Sequence, residues 1–232
     1  MFVEMPASPA TSSFRRISAT TTAPCIDRFD TLLGRAGLAS AFLNYHKDEE
    51  IYGEGEPADH VYKVVSGAVR TYKLLPDGRR QIDAFHLAGD VFGLDSGEDY
   101  RLTAEAIVDT QLRSVSRRPL EVAAETDVRV AHSLWTMTAD HLRHAEDHML
   151  LLGRKTATER VATFLLEMDQ RLAVTGLMSL PMSRRDIADY LGLTLETVSR
   201  TFSQLQSQGV LGLSGARRVS LHDRQCLRGM DA

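Results

Sequence analysis

Glu196 and Arg200 stand four residues apart in the segment LETVSR, Leu195 to Arg200. If that segment is helical, the pair has a definite chemistry. An arginine can donate two parallel hydrogen bonds to guanine O6 and N7, and a carboxylate one turn earlier can accept from cytosine N4. Leu195 offers only apolar contact, for which a thymine methyl is the natural partner. Thr194, Thr197 and Ser199 add short hydroxyls suited to phosphate oxygens near a helix N-terminus. The plain alternative is a solvated helix face on which Glu196 and Arg200 form an i,i+4 ion pair.

The surrounding residues decide between these. In Met182 to Gln208, Ser183 can cap a first helix, with Asp186 three residues on as a short capping box. Ile187, Ala188 and Leu191 form an inner face, and Gly192 stands where the chain must turn. Thr194 can cap a second helix whose inward residues are Val198, Phe202 and Leu205, and Gly209 ends it. Two short β-prone runs around Ser214-Gly215 then read as a hairpin wing. Turn, caps, inner stripe and base-reading pair coincide as a helix-turn-helix that reads DNA. Ser183, Arg184, Arg217 and Arg218 join Thr194, Thr197 and Ser199 as expected contacts to the DNA backbone.

Four parts must carry this module. Residues 1–25, rich in Ser, Thr, Ala and Pro, read as a mobile tail. Residues 26–125 hold short apolar–polar alternations, as in Val61–Val65 and Val69–Leu75. Turns fall at Gly53-Glu54-Gly55, Ser66-Gly67, Pro76-Asp77-Gly78 and Ala88-Gly89-Asp90, a pattern of antiparallel sandwiches or barrels. Residues 126–154 change period. Trp135, Thr138, Leu142, Ala145, Met149 and Leu152 recur at spacings of three and four, a coiled-coil-like seam. Residues 155–232 carry a further helix, with Val161, Phe164, Leu165, Met168 and Leu172 on one face, and then the winged module. A helix packed on its own β-domain is the bland alternative; helix-turn-helix readers, however, commonly bind two-fold half-sites as dimers, so a partner helix is expected.

Charge agrees once it is divided. The chain carries −4 overall, but 176–224 holds six arginines against four acids, so this segment is +2 and the rest is −6. No stretch approaches the roughly 20 apolar residues of a membrane span, and no secretory segment opens the chain. Two cysteines, Cys25 and Cys226, exclude a disulfide framework and fit a reducing cytoplasm. No nucleophilic triad, phosphate-binding loop or dinucleotide fingerprint is present, so no catalytic residue is expected. A β-barrel enzyme of the cupin type needs an H-x-H pair that the isolated His46, His60 and His86 do not form. His141, His144 and His148 share one helix face, but no carboxylate or thiolate pattern completes a metal cage.

The G-E-G-E and S-G-x-V turns, the long seam helix and the E-T-V-S-R reading helix together resemble the Crp/Fnr family of bacterial transcription regulators, in its FixK-type branch. The likeness covers nearly the whole chain after the tail. It implies an α+β fold: an N-terminal β-roll like the cyclic-nucleotide-binding jelly roll, a long dimerisation helix and a C-terminal winged helix-turn-helix. It also implies an activator in low-oxygen or nitrogen-fixation control that binds a TTGA-N6-TCAA-like palindrome as a homodimer. Arg200 would lie on the guanine, Glu196 on its cytosine and Leu195 near a thymine. Such regulators touch RNA polymerase through exposed loops, here Arg79 and Arg80 after the Pro76 turn, and the region 173–178; a solvated hairpin tip would explain the two arginines as well.

The departures are as informative. Cyclic-nucleotide-responsive members hold the phosphate with an Arg-Ser pair; the matching positions here are Glu98 and Asp99, which would repel it. Iron–sulfur members need about four thiolates, and Cys25 is alone in the tail. No cofactor, metal or effector is therefore expected. The alternatives are a regulator gated by haem, redox or another ligand, and a β-roll binding protein or enzyme with a helical appendage.

Overall fold

The computed structural model describes residues 28–95, 97–174, 176–215 and 217–231. The tail 1–25 lies outside the described residues, and with it Cys25. A short helix α1 (Arg28–Ala36) is followed by β1 (Ala41–Tyr45), β2 (Glu50–Tyr52), β3 (His60–Ser66), β4 (Ala68–Leu74), β5 (Arg80–Leu87), β6 (Val91–Phe92), β7 (Thr103–Ala106) and β8 (Thr110–Ser116). These form two antiparallel four-stranded sheets, β1-β8-β3-β6 and β2-β7-β4-β5, the expected double-layered roll. Then come α2 (Arg117–Thr126), α3 (Val128–Arg154), α4 (Ala157–Leu172), β9 (Leu177–Ser179), α5 (Arg184–Leu191), α6 (Leu195–Ser207), β10 (Leu211–Ser214), β11 (Arg218–Leu221) and α7 (Arg224–Asp231).

All four sequence turns join or flank strands, and the Ser66-Gly67 turn explains its glycine. Gly67 has φ +91°, and a Cβ there would meet the Asp109 carbonyl at 2.6 Å. The alternation expected of β3 is absent, because both of its faces are covered. Tyr62 and Val64 look into the roll, where Tyr52, Phe92, Tyr100 and Leu112 join them; Val61 packs outward on Phe29, Leu120, Val130 and Met137. Lys63, 8 % exposed, reaches Asp30 of α1 at 3.3 Å. The stretch read as strands is thus flanked by helices, α1 and α2. Pro119 falls in the first turn of α2, where its missing N–H is harmless.

Helix α3 spans 27 residues, roughly 40 Å at 1.5 Å per residue. Asp127 caps it, accepting from the Arg129 amide at 2.8 Å. Val130, Met137 and Leu151 are its buried residues, the first two packing on the roll. Val128, Trp135, Leu142 and Met149, seven apart, stand on the opposite side at 60–80 % exposure. One face of the helix thus packs on its own roll, and an apolar stripe is left uncovered on the other. Ala145 lies exposed with the stripe, but Leu152 turns back, half-buried against the core of the helix-turn-helix. Among the described residues no helix is long and apolar enough to cross a membrane.

One core joins the roll to the C-terminal module. Ala68, Ile82, Phe85, Leu87 and Ile107 share it with Phe164, Met168, Ile187, Tyr190 and Phe202. Phe85 lies 5.1 Å from the Tyr190 ring and 6.4 Å, edge-on, from that of Phe164. Arg160 of α4 ties the helix ends together. It donates to the carbonyls of Leu152 (2.8 Å), Lys155 (2.9 Å) and Leu191 (2.8 Å), filling acceptors that α3 and α5 leave open at their C-termini. Helix α7 docks on α4 through Arg224, which grips Asp169 at 2.7 and 2.8 Å. Neither α7 nor β9, the third strand of the wing sheet, was expected from the sequence.

Two predictions follow from this packing. Gly192 has φ +61°, and a Cβ there would lie 3.3 Å from Leu152 Cδ2 and 3.5 Å from Arg160 Nη1. Gly192→Ala should lower stability by about 1–2 kcal/mol, the cost of left-handed backbone with a Cβ, seen as a drop in thermal midpoint. An unchanged midpoint would contradict the turn's dependence on glycine. The second concerns two histidines held neutral. His86, stacked on Phe92 and bonded to Thr71 Oγ1 at 3.1 Å, is lowered to about 3 by burial and then by the nearby His141, Arg171 and His144. Burial, then His144, lowers His148 to about 4 as its ring meets Tyr190 edge-on. The unfolded chain binds these protons below about pH 6.5, so stability should be full above that pH and fall as pH drops from there toward 4. Replacing His148 with Phe should flatten that slope in denaturant titrations at pH 5 and pH 7; an unaltered slope would contradict it.

Candidate nucleic-acid interface

The helix-turn-helix is built as its sequence implies. Ser183 Oγ accepts from the Asp186 amide at 3.1 Å, and Asp186 Oδ2 accepts from the Ser183 amide at 2.8 Å and its hydroxyl at 2.7 Å. This closed capping box starts α5. Gly192 turns the chain, with the Leu193 amide donating back to Ala188 at 3.0 Å. Thr194 starts α6, its hydroxyl accepting from the Thr197 amide at 3.2 Å. Val198, Phe202 and Leu205 are buried, so the other side of α6 is forced outward.

That outward side carries Glu196, Ser199 and Arg200, all exposed, with Leu195 half-buried at its start. Glu196 and Arg200 make no close ion pair with each other on this face. The Glu196 carboxyl is held below its ordinary range by its own amide and the Thr194 hydroxyl, then by the charges of Arg185 and Arg200. It is therefore an ionised acceptor at neutral pH. Thr194 and Thr197 hydroxyls lie 3.0 Å apart. On the wing, Arg218 is exposed and Arg217 half-buried. Ser183 is half-buried, its hydroxyl proton engaged by Asp186.

Two expected positions are corrected. Arg184 was expected to face phosphate; instead its guanidinium lies 3.4 Å over the Phe202 ring, and burial lowers its pKa to about 10. The exposed cation at this helix start is Arg185, which the sequence reading passed over. Arg80 was expected, with Arg79, at an exposed loop tip. Arg79 is there, with Nε bonded to Asp77 at 2.7 Å. Arg80 instead turns onto α5, reaching Asp186 Oδ1 at 2.7 Å and Asp189 Oδ2 at 2.9 and 3.0 Å. Arg79 belongs to the turn and Arg80 opens β5, so the strand, not the loop, sets the direction of Arg80.

Arg70 of β4 completes the contact, donating to Asp186 Oδ1 at 2.9 Å while also pairing with Glu105. Burial opposes ionisation of Asp186. The Ser183 hydroxyl and amide, then Arg70 and Arg80, outweigh it and keep the carboxyl below its usual range.

Comparison with known proteins agrees with this architecture. The Crp-like helix-turn-helix domain matches residues 159–230, and the cyclic nucleotide-binding domain matches residues 42–127. The nitrogen fixation regulation protein FixK of Azorhizobium caulinodans is 48 % identical over 193 residues, covering 81 % of this chain and 78 % of that one. FixK of Rhizobium meliloti is 39 % identical over 200 residues, 85 % of this chain and 92 % of that one. The solved structure of FixK2 from Bradyrhizobium japonicum is 70 % identical, with a TM-score of 0.83, covering 84 % of this chain and 98 % of that one. Fold, reading helix and relatives agree: this chain belongs to the Crp/Fnr family of transcription regulators, in its FixK-type branch, and is not an enzyme.

Proposed function

We propose that the chain is a homodimeric activator in the bacterial cytoplasm that reads a TTGA-N6-TCAA-like palindrome in low-oxygen or nitrogen-fixation gene control, without a small-molecule effector. The observation that carries this reading is the unpaired Glu196 and Arg200, one turn apart on the exposed face of α6 with Leu195 at its start. Arg200 reaches guanine, Glu196 its cytosine, and Leu195 a thymine methyl. Thr194, Thr197, Ser199, Ser183, Arg217 and Arg218 serve the phosphates, with Arg185 taking the place expected of Arg184. Trp135, Leu142 and Met149, with Ala145 beside them, meet their copies across a two-fold axis, while Leu152, packed on the helix-turn-helix core, leaves the seam. Arg79, with the exposed Val174 and Leu177, offers a surface to RNA polymerase.

Effector independence draws support from the roll interior. Tyr52 stacks on Tyr100 at 3.6 Å, and Tyr62 on Phe92 at 5.3 Å, so side chains occupy the centre. The Tyr100 hydroxyl donates to the His60 carbonyl at 2.7 Å. Glu98 and Asp99, exposed beside this stack, repel a phosphodiester. One observation favours an effector-gated regulator instead. A cavity of about 730 Å³ opens between β5, α3 and α4, lined by Asp83, His86, His141, His144 and Arg171 among others.

Fluorescence anisotropy of ligand-free protein on the palindrome separates these readings. Tight binding without additive supports the proposal; binding only with a small molecule favours the gated regulator; failure across several related palindromes overturns DNA reading. Arg200→Ala should weaken binding by about 1–3 kcal/mol and relax discrimination at the guanine. An equal loss on every sequence would mean that Arg200 touches only phosphate. Leu142→Arg should give monomers in sedimentation and weaken operator binding; a dimer of normal strength would exclude the α3 stripe as the seam. Ser183→Asp should weaken operator binding by charge repulsion; unchanged affinity would place Ser183 away from the phosphates.

A further inference from the structure

We propose that Arg80, on the β4–β5 hairpin of the roll, is a positioning residue for base reading that acts through Asp186 and Asp189 of α5. The inference rests on the proposed DNA-reading role of α6. Arg80 crosses from the roll to the helix-turn-helix, its side chain 19 % exposed, and splits its donors between two carboxylates one turn apart. Its guanidinium also lies 5.4 Å from the centre of the Tyr72 ring, which fixes the plane of the fork. Next to it the Gln81 side-chain amide donates to the Tyr190 carbonyl at 3.3 Å, so consecutive residues of β5 grip both the start and the end of α5.

Arg70 and Arg80 are not equivalent in this contact. Arg70 is held within the roll by Glu105 and Asp48 and keeps those partners if α5 leaves. Among the described residues, the ion pairs of Arg80 are with Asp186 and Asp189 alone. Without Arg80, Asp189 loses its cation, and Asp186, with its side chain 5 % exposed, loses one of two. An under-compensated buried carboxylate seeks water, and the way to water here is for α5 to lift from the hairpin. Because α5 and α6 share Ile187, Leu191, Val198 and Phe202 in one core, α6 moves with it. Arg80 therefore sets where Leu195, Glu196 and Arg200 stand relative to α3, without touching DNA itself.

The test uses the full-length chain with Arg80→Ala, Arg80→Lys, Asp189→Asn and the Arg80→Ala/Asp189→Asn double variant. Hydrogen exchange without DNA should rise about tenfold in the amides of α5 and α6 on Arg80→Ala, with α3 unchanged. Affinity for the palindrome should fall about tenfold, and by clearly less for a scrambled duplex. Arg80→Lys should restore most of both, and the double variant should be no worse than Arg80→Ala alone. Unchanged exchange in α5 overturns the proposal, whatever DNA does. So does an equal loss on both duplexes, which would mark a direct phosphate contact, or losses that multiply between Arg80 and Asp189. Should the unaltered chain bind no palindrome, the DNA-reading proposal fails, while exchange still decides the role of Arg80.

Discussion

The buried carboxylate of Asp186 divides its two oxygens between a helix and a domain contact. Oδ2 takes the amide and hydroxyl of Ser183 and so starts α5; Oδ1 takes Arg70 and Arg80 and so fixes α5 to the roll. A carboxylate this buried is tolerable only when its lone pairs are filled. The two roles therefore depend on each other. Opening the domain contact strips cations from the cap, and fraying the cap misdirects the carboxylate that the arginines hold. The apolar core beneath supplies the burial that makes these polar contacts strong.

The same contact resolves the charge of the DNA module. Counted along the sequence, 176–224 is only mildly basic. In space, two of its four acids, Asp186 and Asp189, are met by arginines from the roll, and Arg224 is spent on Asp169. Arg184 lies on Phe202. What faces outward is Arg185, Arg200 and Arg218, against the two exposed acids Glu196 and Asp223. An acidic protein thus presents a locally basic surface by importing cations from its neighbouring domain, and a tally by segment misses this.

The helix-turn-helix was legible to the residue because its signals are local. Ser183, Gly192 and Thr194 act within a few positions of themselves, and Val198, Phe202 and Leu205 repeat with the helix. The roll's turns were legible for the same reason. What escaped were contacts between distant segments. Arg80 and Asp186 lie 106 residues apart, and no periodicity links them. Arg184 was assigned outward because its neighbours leave the choice open; only the approach of Phe202 from α6 decides it. The buried run in β3 hid its alternation, since α1 and α3 cover the face that a simple sandwich leaves wet. Leu152 fits the seam's spacing, yet α5 draws it inward beside Gly192.

For the proposed dimer, distance is the remaining constraint. Two reading helices must enter successive major grooves about 34 Å apart, so α6 has to be rigid with respect to the two-fold axis on α3. The linker between α3 and α4 is short, but a short linker alone leaves a hinge. Two ties remove that freedom, one at each end of α5. Arg80 holds the N-terminal end to the roll, and Arg160 holds the C-terminal end to the last turn of α3 through the Leu191 and Leu152 carbonyls. A strut pinned at both ends can neither swing nor twist, so α5 transmits the geometry of the seam to α6. In this arrangement the filled roll serves as a fixed wall against which the proposed reader is braced.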